Sequence, residues 1–244
     1  IGGAIHKGLQ SDSYWKPFFD GFPPIHAWLG EKKPDVVVMF YNDHGLNFFL
    51  DKMPTFAVGA APQYNNADEG WGIPTLPPFK GELDLSWHII NTLVEKEFDV
   101  VTCQEMLVDH ACTLPLKLFW PNGDCPVTVV PICINTVQFP LPKASRVYAM
   151  GRAVGEAIKS WDSSKKVAVI ASGGLSHQLD GERAGFINKA FDLQFIDSLE
   201  SNPEWATQFS ILEIVEKTGT QGVELLQWLA MRAALTAASP KVTR

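Results

Sequence analysis

Apolar positions along this chain fall into two rhythms. Short, nearly unbroken apolar runs occur at 35–41 (DVVVMFY), 99–104, 127–134 and 166–171, where VAVIA is the core of the run. Runs of that length bounded by turn residues read as strands buried on both faces. Between them, apolar residues recur at three- and four-residue spacing over 82–96, 143–160 and about 221–235, the pattern of helices with one face against a core. Shorter helices are expected over 24–32 and 113–119. Strand and helix therefore alternate, which predicts an α/β sandwich with a central, mostly parallel or mixed sheet flanked by helices. One domain over 1–244 accommodates all of it. The Pro/Gly/Asn-rich stretch 62–81, carrying ADEGWG at 67–72, is too long for a plain connection and reads as a functional loop.

Composition narrows the function classes. A chain of 244 residues with 46% hydrophobic content buries a large core. No run reaches the roughly 20 apolar residues of a membrane helix, and no basic segment leads into an apolar one as in a signal peptide, so the expectation is a cytoplasmic protein without a membrane partner. The net charge of −7 and the absence of a Lys/Arg cluster argue against nucleic acid, whose phosphates require a basic surface. Cys103, Cys112, Cys125 and Cys133 show no CxxC spacing and are expected to be reduced. The chain opens at Ile1 beside Gly2 and Gly3 and closes on small and polar residues, so further sequence is expected at both ends.

The candidate chemistry lies in histidines. Three of the six, His44, His110 and His177, each follow an expected strand, and the carboxyl ends of strands in an open α/β sheet border one crevice. Three imidazoles at one crevice suggest a metal or acid-base site. His44 follows Asn42 and Asp43, which are either simple turn formers or part of such a site. Asp109 either orients the adjacent His110 or caps the helix that follows. In GGLSHQ at 173–178, two glycines expose His177 on a turn, as a general base requires. Ser176 beside it lacks the GxSxG elbow of a serine nucleophile. Glu224 reads from spacing alone as a boundary carboxylate of the last helix. His6, His26 and His88 read as solvated or locally bonded.

Five segments in order carry a resemblance: YNDH at 41–44, ADEGWG at 67–72, VDHACTLPL at 108–116, GGLSHQLDGERAGFINKAFD at 173–192 and GVELLQWLAMRAAL at 222–235. Together they resemble the LigB-type class III extradiol dioxygenases, most closely the β subunits that cleave protocatechuate at the 4,5 bond. The resemblance implies an Fe(II) site built as a 2-His-1-carboxylate triad, with His44 one imidazole ligand and Glu224 the carboxylate. It places the further histidine ligand in a Ser-His-x-Pro segment upstream of Ile1. It implies His177 as general base and later acid toward a substrate hydroxyl, and His110, oriented by Asp109, as hydrogen-bond partner of substrate or oxygen. The implied substrates are a catecholic aromatic acid and O2, and the implied partner is a small α subunit in an α2β2 assembly. Gallate or methylgallate is the alternative substrate, with Trp71 inclining toward protocatechuate. A non-catalytic interaction protein of the same fold is the alternative from another class.

Overall fold

The computed structural model describes residues 1–70, 72, 75–123 and 125–242. Along the chain the strands are β1 (Val36–Tyr41), β2 (Phe56–Gly59), β3 (Gln63–Asn66), β4 (Phe79–Lys80), β5 (Val101–Cys103), β6 (Leu107–Val108), β7 (Thr128–Ile134) and β8 (Val167–Ala171). The helices are α1 (Gly2–His6), α2 (Lys16–Phe19), α3 (Pro23–Lys32), α4 (Leu83–Glu95), α5 (His110–Phe119), α6 (Ala144–Ser160), α7 (Lys189–Ser201), α8 (Ile211–Thr218) and α9 (Leu225–Ala234). Short 3-10 turns separate some of these. No described helix is long and apolar enough to cross a membrane.

The expected α/β architecture with a flanked sheet is present, and the sheet is mixed. Its order is β5-β2-β7-β1-β8. β1 runs parallel to β7 and β8, and β2 runs parallel to β5 but antiparallel to β7. β1 explains its own unbroken apolar sequence. Val36, Val38 and Phe40 enter a core with Leu85 and Ile89 of α4, Val147 of α6 and Leu229 of α9. Val37, Met39 and Tyr41 enter a second core with Tyr64, Phe79, Cys112 and Leu116. A strand buried on both faces needs no polar alternation.

Three local expectations are corrected. The stretch 62–81 is not all loop: Tyr64 and Phe79 are buried, which draws β3 into antiparallel pairing with β4 and parallel pairing with β6. The strand expected over 99–104 shortens to β5, and the chain pairs again at β6, so it is β6 that leads into His110. The last helix breaks at a 3-10 turn, Gly222–Glu224, because Gly222 sits against Thr218 and Ser176 and its N–H is held by the His177 carbonyl. Glu224 therefore stands at the start of α9 rather than along its side.

Candidate metal and acid-base site

Because β1, β7 and β8 are parallel, their carboxyl ends share one edge of the sheet. Asn42, His44, Thr136, Gly173 and His177 follow from these ends and meet His110 and Glu224 around one cavity of about 560 Å³. The structure thus brings together the three histidines that the spacing singles out and Glu224, which the resemblance adds. His6 lies instead at a neighbouring cavity that also touches His110. His26 is bonded to the Leu118 carbonyl and His88 to the Ser160 hydroxyl.

Asp43 and Asp109 divide the work of placing His44. Asp43 is buried and accepts the backbone N–H groups of Gly45, Leu46, Asn47 and Phe48, so it folds the turn and does not touch the ring. The His44 ring is oriented from 65 residues away, where Asp109 Oδ2 accepts from Nδ1 at 2.8 Å and from the His44 backbone N–H at 2.9 Å. The other oxygen, Oδ1, caps α5 by accepting from Ala111 N–H. With Nδ1 committed to Asp109, Nε2 is the ring nitrogen turned to Glu224, 3.5 Å from its Oε1. The Asn42 amide nitrogen stands 3.2 Å from that Nε2 and 3.3 Å from the same carboxylate oxygen. Of the two readings open for Asn42 in the sequence, turn former or part of a site, its position between both groups favours the second.

His110 has its own carboxylate, and it is not Asp109. Glu69 Oε1 accepts the His110 backbone N–H at 2.7 Å and Glu69 Oε2 accepts Nδ1–H at 2.6 Å. The His110 ring stacks on His44 with centroids 4.4 Å apart and planes inclined by 22°. Spacing within ADEGWG assigns Glu69 no task, and its only local signal is an acid in a Gly-rich loop.

His177 is set by the backbone around it. Its Nδ1 donates to the Leu175 carbonyl at 2.8 Å, which leaves Nε2 as the basic nitrogen. Its N–H reaches the Thr218 carbonyl, and its own carbonyl accepts from Gly222, tying this loop to the start of the α9 segment. Gly173 adopts φ +106°, and a Cβ there would meet the Glu224 carbonyl at 2.8 Å, so glycine is required for the two segments to meet. Ser176 is buried, and its hydroxyl donates to Asp192 at 2.6 Å, which leaves it no role as a nucleophile.

Donor chemistry fits a divalent cation. Burial pulls the His44 ring toward its neutral form, but the hydrogen bonds and charges of Asp109 and Glu224 outweigh it and push its pKa up to about 10. Two carboxylates around one imidazole attract positive charge, which a metal supplies in place of a proton. His44, Asp109 and His110 also offer atoms within 4.8 Å of one another, a spacing that admits a metal. Asp109 is nonetheless fully engaged by His44 and the helix cap, so His44 Nε2 and Glu224 Oε1 are the better pair.

The sequence profile described as the catalytic LigB subunit of aromatic ring-opening dioxygenase matches residues 1–244. Among curated proteins, the chain is 39% identical to a gallate dioxygenase of Pseudomonas putida over 70% of this chain and 51% of that protein. It is 32% identical to a 2,3-dihydroxyphenylpropionate/2,3-dihydroxicinnamic acid 1,2-dioxygenase of Rhodococcus globerulus over 64% of this chain and 48% of that protein. A protein of the same description from Xanthobacter autotrophicus is 30% identical over 84% of this chain and 77% of its own length. In the first two cases the chain spans about half the length of the relative.

Proposed function

Because the chain belongs to the LigB family of catalytic subunits of aromatic ring-opening dioxygenases, we propose that it carries out Fe(II)-dependent extradiol cleavage of a catecholic acid by O2. The observation that carries the proposal is the convergence of His44 Nε2 and Glu224 Oε1, 3.5 Å apart, on a cavity that His110 and His177 also line. His44 and Glu224 would hold the iron, together with the further histidine that the resemblance places upstream of Ile1. When bound, iron supplies the electronic link between catechol and O2, so no external reductant is required.

The rest belongs to side chains. Asp109 keeps the His44 ring turned so that Nε2 faces the cavity. His177, with its proton fixed on Nδ1, presents Nε2 to take a proton from a substrate hydroxyl and to return it later. His110 offers its own Nε2 to a substrate or oxygen atom. Exposed Val137 and Leu179 border the cavity, and an apolar rim of this kind supports a small α subunit as its cover.

Protocatechuate, opened at the 4,5 bond to a carboxy-hydroxymuconate semialdehyde, is one substrate of the proposal. Gallate stands beside it, favoured by the 39% identity to a gallate dioxygenase. Trp71, which inclines the sequence toward protocatechuate, lies outside the described residues. The test is oxygen uptake by full-length protein reconstituted anaerobically with Fe(II), with and without a candidate α subunit, on both substrates in parallel. Uptake with a ring-fission product that His177→Ala abolishes supports the proposal, and the preferred substrate assigns specificity. No uptake on either substrate by iron-loaded protein rejects the assignment and favours an interaction protein.

A further inference from the structure

We propose that Glu69 is the positioning residue for His110: it fixes the ring on its Nδ1–H side and thereby makes Nε2 the atom that meets substrate. The inference rests on the ring-cleavage reading above and assigns within it a residue that sequence spacing leaves without a task. Glu69 accepts from His110 twice, at the backbone N–H and at Nδ1, with contacts of 2.7 and 2.6 Å. A carboxylate has no proton to give, so both His110 atoms must carry hydrogen. The neutral ring is then protonated on Nδ1 and basic at Nε2.

The arrangement repeats that of its neighbour. Asp109 accepts from His44 through the same pair of atoms, backbone N–H and Nδ1. Two carboxylates from different loops thus hold two stacked imidazoles, 4.4 Å between centroids, each turned so that Nε2 is uncommitted to its carboxylate. Asp109 does this for the proposed ligand of the metal, and Glu69 does it for a ring that the proposed function assigns to substrate or oxygen instead. Where a substrate or oxygen atom shares a proton with His110 Nε2, the Glu69 carboxylate on the opposite side of the ring balances the positive charge that develops on it. Glu69 is the covered partner, with its side chain 16% exposed against 36% for His110, so the interaction is screened mainly from the ring side.

The isosteric change Glu69→Gln separates this role from simple structural support. The glutamine oxygen can accept the backbone N–H, which is always a donor, but its amide NH2 then faces Nδ1 and requires that nitrogen to be bare. The proton moves to Nε2 and the ring presents the wrong atom. Long-range proton–nitrogen spectra of full-length protein, labelled with nitrogen-15 histidine and loaded with Zn(II) in place of iron, read this directly. The expected result is Nδ1–H for His110 in the parent protein and Nε2–H in Glu69→Gln. With Fe(II) and the better catechol, kcat falls about 10- to 100-fold while Fe(II) stoichiometry and KM hold. In a His110→Ala background, Glu69→Gln costs less than about twofold further, because its route of action is gone. Nε2–H in the parent protein, the same tautomer in both proteins, or losses that add in the double variant would each overturn the proposal. If the parent protein consumes no O2 with any catechol, the ring-cleavage reading fails on its own, and the tautomer measurement still decides whether Glu69 sets His110.

Discussion

Asp109 grips His44 at two points, through backbone N–H and ring Nδ1, while its second oxygen caps α5. One fully buried carboxylate therefore joins the end of β1 to the start of α5 and aims the ring between them. The position of a metal-binding nitrogen is coupled to the integrity of a helix terminus.

Replacing this group dissects the two duties. Asp109→Asn can keep the cap through its single oxygen but sets an NH2 against the two His44 donors. Fe(II) affinity should fall about 10- to 100-fold, with the fold intact. Asp109→Ala should lose the same affinity and, with the cap gone, about 1 kcal/mol of stability as well. Anaerobic Fe(II) titration and urea denaturation of both variants check this, and parent-like affinity in both would remove Asp109 from the site.

A second buried acid supports His177 from behind. Asp192 accepts from the Ser176 N–H at 2.9 Å and from its hydroxyl at 2.6 Å, and that hydroxyl in turn accepts from Asn188 N–H. Asp192→Ala leaves two buried donors without their acceptor, at a cost of about 1–3 kcal/mol. Since Ser176 precedes His177, oxygen uptake should fall as well, with Fe(II) content unchanged. Ser176→Ala should be milder, because its backbone N–H keeps Asp192 Oδ1. Denaturation midpoints that rank the two variants in the opposite order would contradict this.

The close approach of α6 to α9 gives a third test. A Cβ on Gly155 would meet the Ala234 carbonyl oxygen at 2.1 Å, and one on Gly151 would meet that of Ala230 at 2.3 Å. Backbone atoms cannot swing aside as a side-chain tip can, so Gly155→Val forces the helices apart at a cost of about 1–3 kcal/mol. A lower urea midpoint with an unchanged slope is expected. Glu224 opens α9, so Fe(II) affinity should weaken together with stability; a variant as stable as the parent would show that this contact is slack.

What the sequence discloses here follows the range of the interaction. β1, α4 and α6 are legible because the faces they bury are written in neighbouring residues, as unbroken apolar runs or three-to-four spacing. β3 and β4 are not, since two buried aromatics, Tyr64 and Phe79, outweigh the turn-forming residues around them only once β6 arrives to pair. The pairs that aim the histidines are longer still, 65 residues from His44 to Asp109 and 41 from Glu69 to His110. Spacing pairs Asp109 with His110 because they are adjacent, yet its carboxylate serves His44. Glu224 is visible only through family resemblance. Its helical register describes a boundary carboxylate, and the break at Gly222 that swings it toward His44 comes from contacts with Thr218 and His177.

Metal binding itself should appear as stability, whatever the substrate. An ion held by the folded chain and not by the unfolded one adds about 2.7 kcal/mol when its concentration is 100 times Kd. In a chain of 244 residues that corresponds to a rise of about 5–10 °C in Tm. Anaerobic Fe(II) should raise the Tm of the full-length protein, and a chelator should return it. Glu224→Gln keeps the size of the side chain but removes the charge 3.5 Å from His44 Nε2, so the metal-free Tm should change little while the shift on adding Fe(II) shrinks by more than half. His44→Ala should lose the shift as well, and its metal-free Tm should fall, because the buried Asp109 carboxylate is left with fewer donors. A full Fe(II) shift that survives both substitutions would locate the metal elsewhere and disconnect the cavity of His44, His110, His177 and Glu224 from iron.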